Sequence, residues 1–155
     1  MTGDAMNDFY LAPGDSVRFA KTVGESDVYL FAGITGDLAP VHVDQQYMSR
    51  SAYGQRIAHG ALLVGFISTT STMMVARARD CGVAGETPVS LGFDRIRFVA
   101  PVFFGDTITI TYTVAAVDTQ RRRATAEIVG VNQRGETVVV ATNILKWVRA
   151  AEAAP

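Results

Sequence analysis

A carboxylate and one of the chain's two histidines lie close together in the segment Gly36-Asp37-Leu38-Ala39-Pro40-Val41-His42. Gly36 is typical of the end of a helix, and Pro40 opposes a helix that would run through the segment. We therefore expect an extended or turned connection that directs the side chains of Asp37 and His42 into one cavity, with a water molecule between them. An imidazole can accept a proton near neutral pH, since its reference pKa is about 6.5, and a carboxylate can orient water or share the transfer. The pair predicts chemistry in which water is added or removed.

The second histidine, His59, comes directly before Gly60, where an apolar helix is predicted to begin. The first backbone N–H groups of a helix have no partner inside it, and the helix dipole favours negative charge there. A thioester carbonyl docked at the Gly60 N–H would have its developing enolate stabilised, and the missing side chain permits a close approach.

The spacing alone also allows a purely structural role for each of these residues. In that interpretation Asp37 is a turn residue, and His42 is a polar side chain at a strand edge. Gly60 is an ordinary helix boundary, and His59 satisfies a loop carbonyl. Ser68, two turns into the helix, is a buried hydroxyl bonded to a preceding carbonyl.

Arginines form the other group that could bind a ligand: Arg95, Arg97 and the run Arg121-Arg122-Arg123. These arginines could bind the phosphates of a nucleotide-tailed substrate. Arginines in such positions more often lie at a solvated strand edge or in a hairpin turn. The sequence contains no glycine-rich phosphate loop and no Ser-His-Asp order of a hydrolase.

Composition narrows the class of protein. The chain has 155 residues, of which 48% are apolar and 19% charged, and its net charge is -1. This predicts one domain that buries a core without a disulfide or metal, and it excludes a disordered tail or a general nucleic-acid binder. Cys81 has no partner for an internal disulfide, and one cysteine with two histidines cannot complete a structural zinc site. We expect a reducing, cytoplasmic setting.

No targeting or membrane segment is expected. The first fifteen residues contain three aspartates and lack the basic start and apolar core of a secretory signal, so they predict a short ordered arm. The most hydrophobic stretch, Ala58 to Ala76, contains His59 and the five hydroxyl residues Ser68 to Thr72, which predicts a buried helix of a soluble protein. The ordered core is expected at about 11–148, with a frayed tail at 150–155.

Periodicity predicts the elements that must position these residues. Apolar and hydroxyl side chains alternate from Thr107 to Val114, as in a strand with one apolar face. Three further strands are predicted at Leu91–Val99, Ala124–Val131 and Thr137–Val148, the last two joined by a turn that contains Gly135. Four consecutive strands with short connections predict an antiparallel meander.

The first half of the chain is different. It predicts a strand at Ser16–Val23, a short amphipathic helix at Glu25–Thr35 and a long helix from Gly60 to about Ala78. The start of the long helix is apolar nearly all round, so we expect other elements to enclose it. The order of elements predicts an α+β fold in which the concave face of a sheet covers this helix.

Three blocks of the sequence resemble the MaoC-like dehydratase family, which includes the (R)-specific enoyl-CoA hydratases with the hot-dog fold. The blocks are Phe31 to His42, Ala58 to Leu63 and Arg97 to Asp106, and the resemblance runs from about Leu11 to Val148. The first block is the most specific. One position departs from the pattern, because Ala39 stands where the family usually has Asn before the proline.

The resemblance implies a single hot-dog domain over residues 1–155 that adds water reversibly to trans-2-enoyl-CoA thioesters and gives (R)-3-hydroxyacyl-CoA. Asp37 and His42 match the catalytic pair, Gly60 the glycine whose N–H meets the thioester oxygen, and Ser68 a hydroxyl position that lines the site. No metal or other cofactor is implied, since the thioester itself supplies the electron sink. The expected partners are an acyl-CoA or acyl carrier protein thioester and a second copy, in a homodimer or higher oligomer, with no nucleic acid or membrane.

Two other functions remain open. A hot-dog thioesterase would hydrolyse the thioester, but such enzymes usually carry a carboxylate at or near the central helix, and Gly60 to Met74 contains none. A non-catalytic acyl-binding subunit, or a partner that completes a heteromeric dehydratase, is favoured only by Ala39.

Overall fold

The structure is a computed structural model that describes residues 9–81, 83 and 85–149. The first eight residues of the predicted N-terminal arm and the predicted frayed tail lie outside the described residues. In chain order the elements are β1 (Ser16–Thr22), α1 (Glu25–Thr35), α2 (Pro40–Val43), α3 (Gln45–Met48), α4 (Gly60–Ala76), β2 (Glu86–Phe98), β3 (Thr107–Asp118), β4 (Arg123–Val131) and β5 (Thr137–Arg149).

Periodicity predicted most of these elements correctly. The bounds of α1 are those expected, whereas α4 ends two residues before Ala78. The apolar face of β3 is confirmed, because its inward side chains are at most 1% exposed: Ile108, Ile110, Tyr112 and Val114. The turn between β4 and β5 contains Gly135 with a φ of +78°, as the turn geometry requires.

The strands form an antiparallel sheet in the order β1, β3, β4, β5, β2. The predicted meander is confirmed for β3, β4 and β5 but is wrong for β2, which pairs with β5 at the opposite edge. The segment 99–106 crosses one end of the sheet instead of forming a hairpin. It is held there because the Val102 carbonyl accepts from the Ala58 N–H and the Asp106 carbonyl accepts from the Val23 N–H, both at 2.8 Å.

The long helix α4 packs on the sheet, mainly against β1 and β3, through one apolar face that includes Leu63, Phe66, Ile67 and Met74. The prediction that α4 is enclosed on all sides is wrong for the described part of the chain. Its opposite face is exposed and carries Ala61, Gly65, Ser68, Thr69 and Thr72. Small and hydroxyl side chains tolerate water, so this face can be exposed in a single chain. None of the described helices has the length and apolar character needed to cross a bilayer.

A buried polar network ties β2 to the rest of the sheet. The Tyr112 hydroxyl donates to Asn143 Oδ1, and the Asn143 amide donates to Ser90 Oγ and the Gly92 carbonyl, each at 2.9 Å. Burial raises the pKa of the Tyr112 phenol, which therefore remains a donor at neutral pH. The pairing of β2 with β5 shifts register between Ser90 and Gly92, so the network anchors β2 at a bulge that bends the strand.

A buried ion pair stabilises the start of β2. The Glu86 side chain is fully buried, and its carboxylate lies 2.6 Å from the Arg122 guanidinium. Tyr10 donates a further hydrogen bond to Glu86 at 3.0 Å. The hydrogen bonds from Arg122 hold the pKa of Glu86 below its usual range.

We expect Glu86→Gln to lower the free energy of unfolding at pH 7 by roughly 3 kcal/mol, because Arg122 then keeps a largely buried charge without its counter-ion. A carboxylate with a depressed pKa stabilises the fold above its unfolded pKa of about 4.3 and loses that contribution as the pH falls through its folded pKa. Urea unfolding should therefore show the difference between wild type and variant shrinking in acid. The exposed Glu127 is the matched control, and Glu127→Gln should change stability by less than about 0.5 kcal/mol. Equal stability of wild type and Glu86→Gln at pH 7 would contradict the role of the pair.

Candidate active site

The loop that carries Asp37 begins where α1 ends. Gly36 adopts a left-handed conformation with a φ of +77°, and its N–H donates to the Ala32 carbonyl at 2.8 Å, which closes the helix. The Asp37 N–H then donates to Thr35 Oγ1 at 3.2 Å, and Asp37 Oδ1 accepts from the Ala39 N–H at 3.3 Å. The Asp37 side chain is 51% exposed, so its second oxygen is available to a ligand.

The connection to His42 is not the extended or turned segment that was expected. Pro40 opens the short helix α2, which contains His42. α1 has already ended at Gly36, and Pro40 starts a new helix because the first helical position needs no N–H donor.

The tautomer of His42 follows from its hydrogen bond. His42 Nδ1 lies 2.8 Å from the Ile57 carbonyl. A carbonyl can only accept, so Nδ1 carries the proton and Nε2 presents a lone pair. His42 is therefore oriented as a base through Nε2.

His59 is the site residue that sequence reasoning missed. Its Nε2 lies 2.9 Å from the Asp37 carbonyl, which confirms that it satisfies a loop carbonyl, and the loop is the one that carries Asp37. The imidazole is 2% exposed and stacks on His42 with ring centroids 3.7 Å apart. Its position directly before Gly60 was visible in the sequence, but nothing in that pattern indicates which carbonyl it meets.

The structure thus brings Asp37, His42 and His59 into one cluster, in which one polar atom of each lies within 4.8 Å of the others. Two histidines and a carboxylate could in principle hold a metal ion. In the present arrangement His42 Nδ1 and His59 Nε2 both face backbone carbonyls as donors. Presenting His59 Nε2 to a metal would require breaking its bond to Asp37. The geometry is suited to proton transfer instead.

A cavity of about 270 Å³ lies beside this cluster. Its walls include His42 and Gly60 together with apolar side chains of Ile57, Leu63 and Phe98. Gly60 is the first residue of α4, and a Cβ built on it would lie 2.5 Å from the Phe98 ring. The absent side chain therefore lets the Phe98 ring pack directly against the start of the helix. The Gly60 N–H belongs to the first turn of α4 and has no acceptor within the helix.

Ser68 and the arginine run lie elsewhere. Ser68 is on the exposed face of α4 and is not among the residues that line the cavity. Arg121, Arg122 and Arg123 line a larger concavity of about 670 Å³ at the turn between β3 and β4. That concavity contains none of Asp37, His42 and Gly60, so it is not the site of the predicted chemistry.

Arg56, which precedes Ile57, ties this segment to the start of α1. Its guanidinium pairs with Glu25 at the start of α1 and donates to the Tyr29 hydroxyl at 2.6 Å. The hydrogen bond between the two side chains raises the pKa of Arg56 and lowers the pKa of Glu25, so both stay charged at neutral pH. The Ile57 backbone is held separately, because its N–H donates to the Val41 carbonyl at 3.1 Å and the residue forms a β-bridge with Phe103.

Comparison with known proteins finds one family and several named relatives. A family model described as MaoC like domain matches residues 8–143. An (R)-specific enoyl-CoA hydratase of Rhodospirillum rubrum is 36% identical over 133 residues, which cover 82% of this chain and 85% of that protein. A 3-hydroxybutyryl-CoA dehydratase of Methylorubrum extorquens is 38% identical over 104 residues, which cover 67% of this chain and 60% of that protein.

Solved structures of related proteins support the predicted fold. The (R)-hydratase of Aeromonas caviae involved in PHA biosynthesis superposes with a TM-score of 0.75 at 27% identity, over 88% of this chain and 96% of that one. The expected α+β hot-dog fold, a curved antiparallel sheet around a long helix, is confirmed.

Two glycines of α4 provide a test of the close approach at the cavity. Gly60→Ala should lower the free energy of unfolding by about 1 kcal/mol or more, because its Cβ would displace the Phe98 ring. In Gly65→Ala of the same helix the new Cβ would meet no described atom within 4 Å beyond the adjacent residues and the helix backbone, so the variant should be more stable by about 0.5–1 kcal/mol. Urea unfolding of both variants makes the comparison. Equal gains in stability for the two would show that Phe98 does not crowd Gly60.

Proposed function

The chain belongs to the MaoC-like dehydratase family, and on that basis we propose that it adds water reversibly to trans-2-enoyl-CoA thioesters to give (R)-3-hydroxyacyl-CoA. The observation that carries the proposal is the convergence of Asp37 and His42 beside a cavity that also reaches Gly60. The relatives named for hydratase and dehydratase activity support the same reaction in its two directions.

The Gly60 N–H receives the thioester oxygen. It stands at the first position of α4, where it has no acceptor within the helix. As water adds to the β-carbon, negative charge moves onto the thioester oxygen. The N–H and the helix dipole stabilise this enolate without having to reorganise.

Asp37 and His42 orient and deprotonate the water molecule. His42 Nε2 accepts a proton from water while the water oxygen bonds to the β-carbon, and Asp37 orients the water and shares the transfer. A proton is then delivered from the pair to the α-carbon. One water molecule is consumed, the C=C bond becomes a single bond, and no electrons leave the substrate. The reverse sequence dehydrates a 3-hydroxyacyl thioester.

The loop geometry supports catalysis over the role of a non-catalytic subunit. Ala39 lacks the amide that the family usually places there, but its backbone N–H still donates to Asp37 Oδ1. Thr35 Oγ1 and the His59 imidazole hold the same residue through its backbone. Three contacts thus fix Asp37 without an Asn side chain.

Thioester hydrolysis is less well supported. The central helix α4 contains no Asp or Glu, and none of the residues that line the cavity is a carboxylate. The acidic group near the cavity is Asp37, which is paired with an imidazole in an arrangement that suits water addition to a double bond.

We also propose that the working form is a homodimer or a larger assembly of dimers. β2 is an edge strand of 13 residues that exposes Val89, Leu91 and Phe98, and such an edge suits pairing with a second copy. Ser68 lies on the exposed face of α4, so its proposed role at the substrate requires a second copy to cover that face.

An absorbance assay at the enoyl-thioester band tests the reaction with crotonyl-CoA, and chiral analysis should find the (R) product. Asp37→Asn and His42→Gln should each lower kcat by on the order of 10²-fold or more, since each removes a group that transfers a proton. Asp44→Asn is the matched control, because Asp44 is exposed and its Oδ1 only caps α3 by accepting from the Tyr47 N–H, which Asn can also do. Its kcat should stay within about twofold of wild type.

Unchanged turnover in both Asp37→Asn and His42→Gln would reject the catalytic pair. An (S) product would contradict the proposed stereochemistry. Release of free CoA from crotonyl-CoA without hydration would instead support the thioesterase.

A further inference from the structure

We propose that His59 is a positioning residue, which holds the Asp37 carbonyl through Nε2 and holds the His42 ring by stacking. This inference rests on the proposed function, because positioning has a catalytic meaning only if Asp37 and His42 act on water. The His59 ring contacts the Asp37 carbonyl, the His42 ring and the Phe31 ring, and in this proposal it transfers no proton.

The first support is the direction of the His59 hydrogen bond. Nε2 lies 2.9 Å from the Asp37 carbonyl oxygen and 3.9 Å from Asp37 Oδ2. The carbonyl only accepts, so Nε2 carries the proton. A donor fixed on the backbone of Asp37 places its carboxylate without neutralising it or competing for its oxygens.

The other ring nitrogen supports the same tautomer. His59 Nδ1 is buried and has no hydrogen-bond partner in the described part of the chain. A proton there would be a buried donor without an acceptor, which is costly, whereas a bare lone pair is tolerated more readily. The neutral ring with its proton on Nε2 is therefore the form that fits.

The third support is the stack. The His59 ring lies 3.7 Å from His42 at an interplanar angle of 27°, and Phe31 contacts it with a centroid distance of 4.8 Å. A flat neutral ring in this place limits rotation of His42 about its side chain. It thereby helps to keep His42 Nδ1 on the Ile57 carbonyl and Nε2 available to water.

His59 also connects these two side chains to the helix start. It is the N-cap residue of α4 and is bonded directly to Gly60. One residue therefore sets the distance between the proton-handling pair and the N–H that receives the thioester oxygen. Misplacement by about 1 Å in such a site can cost on the order of 10²-fold in rate.

Two substitutions separate the two contacts. His59→Phe keeps a flat ring but removes the donor, and His59→Gln keeps an amide donor at a similar reach but removes the ring. We expect His59→Phe to lower kcat by about 10- to 100-fold with KM within about threefold, because substrate binding does not use the lost bond. His59→Gln should recover a kcat within about tenfold of wild type. Glu127→Gln, at an exposed position of β4 that has no part in the site, is the control and should leave kcat unchanged.

Long-range ¹H–¹⁵N spectra of the imidazoles report which ring nitrogen carries the proton. In the wild type this measurement requires neither activity nor a folded variant. In the wild type the spectra should show the proton of His59 on Nε2 and that of His42 on Nδ1. In His59→Gln, which removes the stacked ring, the His42 signals should show exchange between tautomers, whereas His59→Phe should keep the wild-type tautomer of His42.

A proton on His59 Nδ1 in the wild type would overturn the proposal, as would wild-type kcat in His59→Phe or a loss that appears in KM alone. If the wild type shows the expected tautomers but does not hydrate crotonyl-CoA, the proposed function fails and the positioning geometry stands.

Discussion

The hydrogen bond from the His59 imidazole to the Asp37 carbonyl is the contact on which the site depends. It joins residues 22 positions apart in the chain, and the imidazole that makes it is almost completely buried. On one side of this bond lies the loop after α1, and on the other side the first turn of α4. The bond between His42 Nδ1 and the Ile57 carbonyl also joins these two segments, but the His59 bond is the one that acts on Asp37 itself.

The bond is effective because the helix behind it is held in place. Leu63, Phe66 and Ile67 anchor α4 on the sheet, so the position of Gly60 is set by the core. The Ala58 N–H bonds to the Val102 carbonyl, which ties the approach to α4 to the segment that crosses the end of the sheet. The cavity therefore lies between a fixed helix start and a fixed crossing segment. A site built on such elements keeps its geometry better than one built on free loops.

Sequence reasoning identified the elements well because they follow local periodicity. The alternation in β3 and the helical spacing of α1 predicted which side chains are buried, and Gly36 marked the end of α1 correctly. It failed where the outcome depends on distant partners. The edge position of β2 requires the segment 99–106 to bond to Ala58 and Val23, and no pattern within β2 carries that information. The helical turn at His42 was missed because Pro40 was interpreted only as a residue that prevents a helix from continuing, although proline is also suited to the first position of one.

The sequence by itself determined which groups could do the chemistry: a carboxylate and an imidazole close together, and a glycine at the start of an apolar helix. It also determined the α+β class, since periodicity is local. The tertiary structure alone decided that His59 donates to Asp37, that Ile57 orients His42, that Phe98 crowds Gly60 and that Ser68 lies outside the cavity. These contacts join residues far apart in the chain. Each depends on how the helices and strands pack, and such packing leaves no periodic signal in the residues that it brings together.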